Sequence, residues 1–286
     1  AFLRALGLAG AAGAVASRPE ARASSSENEL VTVLDIGSCI GCGACVEACH
    51  VASAGKYPDP RKPYPKMYPS RVKVAEWSDK RDVVDRLTPY NWLFLQHAEV
   101  QYQDKTYELS IPRRCLHCTN PPCANLCPWG AARKQRNGIV RIDEEICLGG
   151  AKCADVCPWN IPQRQTGVGL YLDLLPSFAG NGVMYKCDRC YDRVERGGVP
   201  ACIEACPVGA QRIGPRREMI AYAHQLCGQM NGFLYGEIEN GGTNTLYVSP
   251  VPFDLINEAI EKGPGKPHMA PVENQMETAE NLSWAL

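Results

Sequence analysis

Neither sign of charge prevails in this sequence: 30 lysines and arginines stand against 31 aspartates and glutamates, a formal net charge of −1. No global field therefore favours nucleic acid or an anionic membrane surface as a partner. Long apolar runs are missing as well, none reaching the roughly 20 residues that a spanning helix needs. There is no phosphate loop, no dinucleotide fingerprint and no nucleophile beside a base in a recognisable pattern. The chain thus lacks a catalytic constellation of its own. Its 286 residues suffice for one large domain or two small ones sharing a core.

What is abundant is cysteine, 16 in all. They arrive in tight groups separated by long gaps, which is ligand spacing rather than disulfide stapling. Group one is Cys39, Cys42, Cys45 and Cys49; group two is Cys115, Cys118, Cys123 and Cys127, followed by Pro128. Group three is Cys147, Cys153 and Cys157, followed by Pro158; group four is Cys187, Cys190, Cys202 and Cys206, followed by Pro207. Cys227 stands alone and reads as a buried small hydrophobe on a helical face. Zinc is the competing reading, but it needs neither a third closely spaced cysteine nor a terminal Cys-Pro. An iron–sulfur cube has four iron corners that each want a soft thiolate. Glycines in "CIGCGAC" let the backbone turn tightly around it, and the cysteine before each proline ligates the neighbouring cluster. In "CLGGAKCADVCP" the second sulfur position of the pattern holds Gly150 instead.

Along the rest of the chain, "LVTVLDIGS" (30–38) predicts a strand leading into group one. The proline-rich "KYPDPRKPYPKMYP" excludes helix and opens a long insertion, and residues 167–182 form a second, Gly-rich one. "EVQYQDKTYELSI" predicts a hairpin turning at Asp104-Lys105, and "KQRNGIVRIDEEIC" another turning at Asn137-Gly138. "REMIAYAHQLCGQM" has helical spacing, with Met219, Ile220, Ala223 and Leu226 on one face. His50 and His117 read as donors or packing beside the clusters, and Trp129 and Trp159 as shields against water or as core. Arg113, Arg114, Arg189 and Arg193 read either as a solvated charged face or as cations that stabilise reduced clusters.

At the amino terminus, Arg4, an apolar run from Ala5 to Ala16 and Ala21-Arg22-Ala23 have the layout of a signal peptide, and "AFLR" resembles the tail of a twin-arginine export motif. Residues 1–24 are expected to be a retained twin-arginine-type signal segment that packs on a partner or the membrane.

Four such groups, with the insertion after the first and with "CLHCTNPPCANLCP", "KCDRCYDRVERGGVPACIEACP" and "LYGEIENGGTNTLYVSPVPF", resemble the four-cluster ferredoxin-like subunits of complex iron–sulfur molybdoenzymes and their relatives. Within that family, an exported member without a carboxy-terminal anchor looks most like the iron–sulfur subunit of a Qrc-type menaquinone reductase complex, or of a Dsr-type relative. The resemblance implies an α+β chain of two interleaved double-cluster ferredoxin-like folds with long loop insertions. Residues 30–114 and 181–230 would form the first module, 115–180 the second, and 231–286 an arm contacting partners. Carried onto this chain, Cys39, Cys42, Cys45 and Cys206 would hold one [4Fe-4S] cluster, and Cys187, Cys190, Cys202 and Cys49 another. Cys115, Cys118, Cys123 and Cys157 would hold a third, leaving Cys147, Cys153 and Cys127 for the fourth. Gly150 offers that last site no ligand, so a [3Fe-4S] cluster is expected there, the alternative being a four-iron cluster whose open corner takes water or a carboxylate. The implied role is non-catalytic. Electrons would pass between a molybdoenzyme-like or multihaem cytochrome subunit and a membrane quinone-binding subunit of polysulfide-reductase type. The expected place is the periplasmic side of the cytoplasmic membrane, in a hetero-oligomeric complex. A free-standing periplasmic polyferredoxin carrier is the alternative.

Overall fold

The computed structural model describes residues 28–64, 74–174 and 182–277. The expected signal segment and part of both insertions lie outside the described residues. Among the described residues the architecture is α+β, with one four-stranded sheet, three two-stranded ones and short helices.

The β-branched run at Leu30–Asp35 forms β1, whose four central residues are all buried. A strand buried on both faces needs cover on each, and the sequence supplies it from far downstream. β1 pairs antiparallel with β8 (Gln211–Pro215) and parallel with β10 (Thr245–Ser249), and β9 (Phe233–Tyr235) closes the far edge. α7 (Arg216–Met230) covers one face. Its Met219, Ile220, Ala223 and Leu226 pack on Val31, Val33, Leu246 and Val248, as the helical spacing predicts. Each large apolar side chain so buried contributes on the order of 1.5–3 kcal/mol. Cys227 belongs to the same layer and is half-buried. The opposite face of the sheet looks onto the main core, where the cysteine groups sit.

The first predicted hairpin is β2 (Phe94–Tyr102) with β3 (Lys105–Arg113), and its burial alternates along β2. Its turn residues are Gln103 and Asp104, both with positive φ, so the turn comes one residue earlier than Asp104-Lys105. A two-residue turn of this hand needs two left-handed residues, and Asp104 supplies the second rather than the first. The other hairpin joins β4 (Ala132–Lys134) to β5 (Val140–Ile142) through Gly138, as the Asn-Gly pair indicates. β6 (Gln163–Gln165) and β7 (Val183–Tyr185) then frame the Gly-rich insertion, within which Tyr171–Leu174 makes a short α4.

The expected carboxy-terminal arm is, in its described part, built into the chain's own core. Residues 231–249 supply two strands of the sheet, and α8 (Phe253–Ala259) packs on β2. Beyond it, Met269 is fully buried and Asn240 is bonded to Val272 and Gln275. Residues past 230 are therefore part of the same sheet and core as residues 30–35. Short strands and loops fixed by single hydrogen bonds carry no periodic signal, which is why this region reads as an arm.

Candidate metal centres

One local device recurs in all four cysteine groups. The residue two after the first cysteine is left-handed: Gly41 (φ 67°), His117 (φ 49°), Gly149 (φ 63°) and Arg189 (φ 54°). That turn swings its backbone N–H onto the first sulfur. His117 N–H donates to Cys115 Sγ at 3.4 Å and Arg189 N–H to Cys187 Sγ at 3.3 Å, and Gly41 and Gly149 do the same for Cys39 and Cys147. The third sulfur position is helical, with Cys45 in α1 (Ala44–Ser53), Cys123 in α2 (Pro122–Asn125), Cys153 in α3 (Lys152–Asp155) and Cys202 in α6 (Ala201–Glu204). Cys49, Cys127, Cys157 and Cys206 follow four residues later, about one helical turn on.

The sulfurs gather crosswise. Cys39, Cys42, Cys45 and Cys206 line one cavity, with Ile40, Leu95 and Val208 in its wall. Cys115, Cys118, Cys123 and Cys157 line another, with Trp159 and Lys186. The two are of similar size, about 310 and 350 Å³ including the open mouth. Each takes three sulfurs from one group and the last sulfur of a different group. The remaining ones meet in the same way, since Cys49 is crowded by Cys187, Cys202 and Cys190, and Cys127 stands beside Cys147 and Cys153. Gly150 is exposed, and a Cβ added there would meet nothing within 4 Å. Among the described residues, no three His, Cys, Asp or Glu side chains converge closely enough for a single metal ion. The sulfurs surround volumes instead.

Two electrostatic observations test whether iron–sulfur clusters fit. The first concerns the thiols: burial, with neighbouring sulfurs adding to it, pushes Cys45 and Cys157 up to about 11 and Cys118, Cys153 and Cys187 to about 12. Such groups become thiolates at neutral pH only beside strong positive charge, which bound metal supplies. The second concerns the cations. Arg114, Lys186 and Arg189 are all buried, and among the described residues none forms an ion pair with a carboxylate. Arg114 Nη1 donates to Cys202 Sγ at 3.1 Å and to Gln211 Oε1 at 2.7 Å, while its buried Nη2 and Arg189 Nε have no partner. Arg189 otherwise reaches Leu30 O, Asn244 O and Thr245 Oγ1, and Lys186 Nζ reaches the carbonyls of Val140 and Cys187. Buried cations need counter-charge. Anionic clusters held by these cysteines would provide it, so the residues present fit the group.

The arginines thus divide. Arg114 and Arg189 sit among the sulfurs; Arg113 is buried but bonds His268 O; Arg193 pairs at the surface with Glu204. Trp159 lines its cavity and donates to Tyr235 Oη at 2.8 Å, whereas Trp129 is 59% exposed. His50 bonds Asn91 Oδ1 at 2.9 Å and meets Tyr57 edge-on, a packing role. His117 is buried, and burial together with Arg189, Lys186 and Arg114 pushes its pKa well below the ordinary imidazole value. Sequence reasoning left Arg114 and Arg189 open between a solvated face and cations beside clusters, and it missed the buried Lys186.

Known proteins are similar in sequence. Two models of a 4Fe-4S dicluster domain match, over residues 38–131 and 106–216. The formate dehydrogenase-O iron–sulfur subunit of Escherichia coli K12 is 30% identical over 247 residues, 80% of this chain and 70% of that protein. A protein of Nitratidesulfovibrio vulgaris is 31% identical over 272 residues, 92% of this chain and 67% of its own length. The chain belongs to the iron–sulfur subunits of oxidoreductase complexes. This iron–sulfur subunit is also similar to the hydrogenase-2 operon protein HybA of Escherichia coli O157:H7, at 27% identity over 264 residues. Its dicluster domains carry [4Fe-4S] clusters, and electron transfer through such clusters is what the family does. No helix among the described residues is long and apolar enough to cross a membrane.

Proposed function

We propose that the subunit is a non-catalytic relay that carries electrons through three [4Fe-4S] clusters and one [3Fe-4S] cluster. Cys39, Cys42, Cys45 and Cys206 hold the first and Cys187, Cys190, Cys202 and Cys49 the second. Cys115, Cys118, Cys123 and Cys157 hold the third, and Cys147, Cys153 and Cys127 the three-iron centre beside Gly150. When bound, each cluster accepts and releases one electron. The chain's own residues space the sulfurs, exclude water with Trp159 and the sheet core, and supply counter-charge through Arg114, Lys186 and Arg189. The carrying observation is the crosswise gathering of sulfurs, three from one group and one from another, in two matching cavities.

By the names of its relatives, the partner at one end is a catalytic subunit of the formate dehydrogenase or hydrogenase kind. At the other we place a membrane quinone-binding subunit of polysulfide-reductase type reducing or oxidising a quinone such as menaquinone, on the periplasmic side of the membrane. The sequence of residues 1–24 supports that side. Two measurements test the reading. Oxidised protein, gently prepared, gives a three-iron paramagnetic signal; a silent sample with about sixteen irons per chain refutes the three-iron assignment. Gel filtration of mildly solubilised membranes shows the chain with partner subunits, and elution alone near its own mass of 31.3 kDa favours a free carrier instead.

A further inference from the structure

Left-handed backbone costs a residue with a side chain about 1–2 kcal/mol, and glycine avoids that cost. Groups one and three use glycine at the repeated turn, Gly41 and Gly149, but groups two and four place His117 and Arg189 there. At that repeated turn the strain therefore falls on two loops, and those two loops face each other. Asn244 N–H donates to the carbonyls of Leu116 and His117, Thr245 Oγ1 bonds Cys115 O, and Arg189 grips Asn244 O and Thr245 Oγ1. The start of β10 thus clamps the Cys115–Cys118 loop to the Cys187–Cys190 loop.

His117 crosses the remaining gap. Val140 N–H donates to its Nδ1 at 3.0 Å, which makes Nδ1 the acceptor and leaves the proton of a neutral ring on Nε2. Nε2 lies 3.9 Å from Cys187 Sγ, within reach of a sulfur acceptor. The carbonyl of the same Val140 is held by Lys186 Nζ, so the ring is anchored to a residue whose own backbone is fixed. Meanwhile the backbone N–H of His117 donates to Cys115 Sγ. A single residue bonds one sulfur from each of two groups that belong to different modules.

We propose that His117 is the hydrogen-bonded link between the two modules, a positioning residue whose Nε2–H holds Cys187 and raises the potential of the cluster that Cys187 ligates. The proposal rests on reading Cys115 and Cys187 as ligands of separate clusters. A donor to ligand sulfur stabilises the reduced, more negative state, so the hydrogen bond eases arrival of an electron at that cluster. The step it serves is one electron leaving one cluster and reaching the next, the first oxidised and the second reduced by one unit, with no proton or covalent bond exchanged.

The test uses the full chain loaded with iron and sulfide during anaerobic expression. His117→Gly removes the ring and relieves the strained backbone. The expected result is unchanged iron content with one [4Fe-4S] centre shifted downward in a redox titration followed by paramagnetic resonance. The shift expected is about tenfold in the reduced-to-oxidised ratio at fixed potential, ~59 mV for a one-electron couple. Unchanged potentials at full iron content overturn the proposal. Should His117→Gly lose iron, His117→Gln and His117→Met, alike in bulk but differing in their donor, decide the question: Gln retains the potential if the link is real, and equal potentials refute it. A wild-type chain that binds no iron refutes the cluster reading itself, a separate outcome.

Discussion

Replacing Arg114 by methionine removes a buried positive charge while keeping an unbranched stem of similar reach. The guanidinium is 3.1 Å from Cys202 Sγ, and the thiols of Cys202, Cys187 and Cys45 are among its nearest charge partners. For an added electron centred ~6 Å away and an effective dielectric of ~20, the attraction is about 332/(20 × 6), or ~2.8 kcal/mol. Losing it costs about two decades in the reduced-to-oxidised ratio, ~120 mV downward for a one-electron couple. Because the group is buried, solvent screening takes little from this figure. The assay is a redox titration of R114M and wild type, with iron counted in both. A centre in the first module drops by that order, and R114K recovers much of the loss because it restores a point charge. If R114M keeps its iron and every potential stays within ~20 mV of wild type, the guanidinium is not the counter-charge of a cluster.

Gly150→Cys enters open space without left-handed strain, so it leaves folding intact. It is expected to raise iron from about fifteen to about sixteen per chain, abolish the oxidised three-iron signal and lower the potential of that centre; an unchanged titration counts against the assignment. Cys206→Ala costs the first cavity one of its four sulfurs and is expected to lower iron content, whereas Cys227→Ala, on α7, leaves iron unchanged; equal iron in the two variants would refute the crosswise set. Burial raises Glu144 to about 7, above the ordinary value of 4.5. The folded state therefore holds that proton more tightly than the unfolded one, and the stability it contributes is present below pH ~4.5 and lost as pH rises through about 7. Glu144→Gln is expected to melt higher than wild type at pH 8 and to lose most of that advantage at pH 5; parallel melting curves across that range would exclude the effect.

The sulfur groups, the α7 face and the Asn137-Gly138 turn were legible because each rests on a short-range pattern. Which sulfurs share a cavity was legible only through resemblance, since spacing within a group says nothing of the partner group. Arg114 and Arg189 look in sequence like any charged pair at a surface, and only the assembled core shows that sulfurs surround them. The left-handed turn was visible where glycine marks it, at Gly41 and Gly149, and hidden at His117 and Arg189, where a side chain bears the strain. Residues 231–277 failed to read as core because their two strands are short and their later part is irregular, tied down by bonds to loops distant in sequence.

β1 lies between β8 and β10, so residues 30–35 have no strand partners until residues 211–249 have left the ribosome. Cys39, Cys42 and Cys45 likewise wait for Cys206 to finish their cavity. For most of its translation the nascent chain carries these thiols loose, and delivery of iron to that cavity belongs after Cys206 has emerged. A prematurely terminated product would keep its early thiols yet never close the receptacle they were made for.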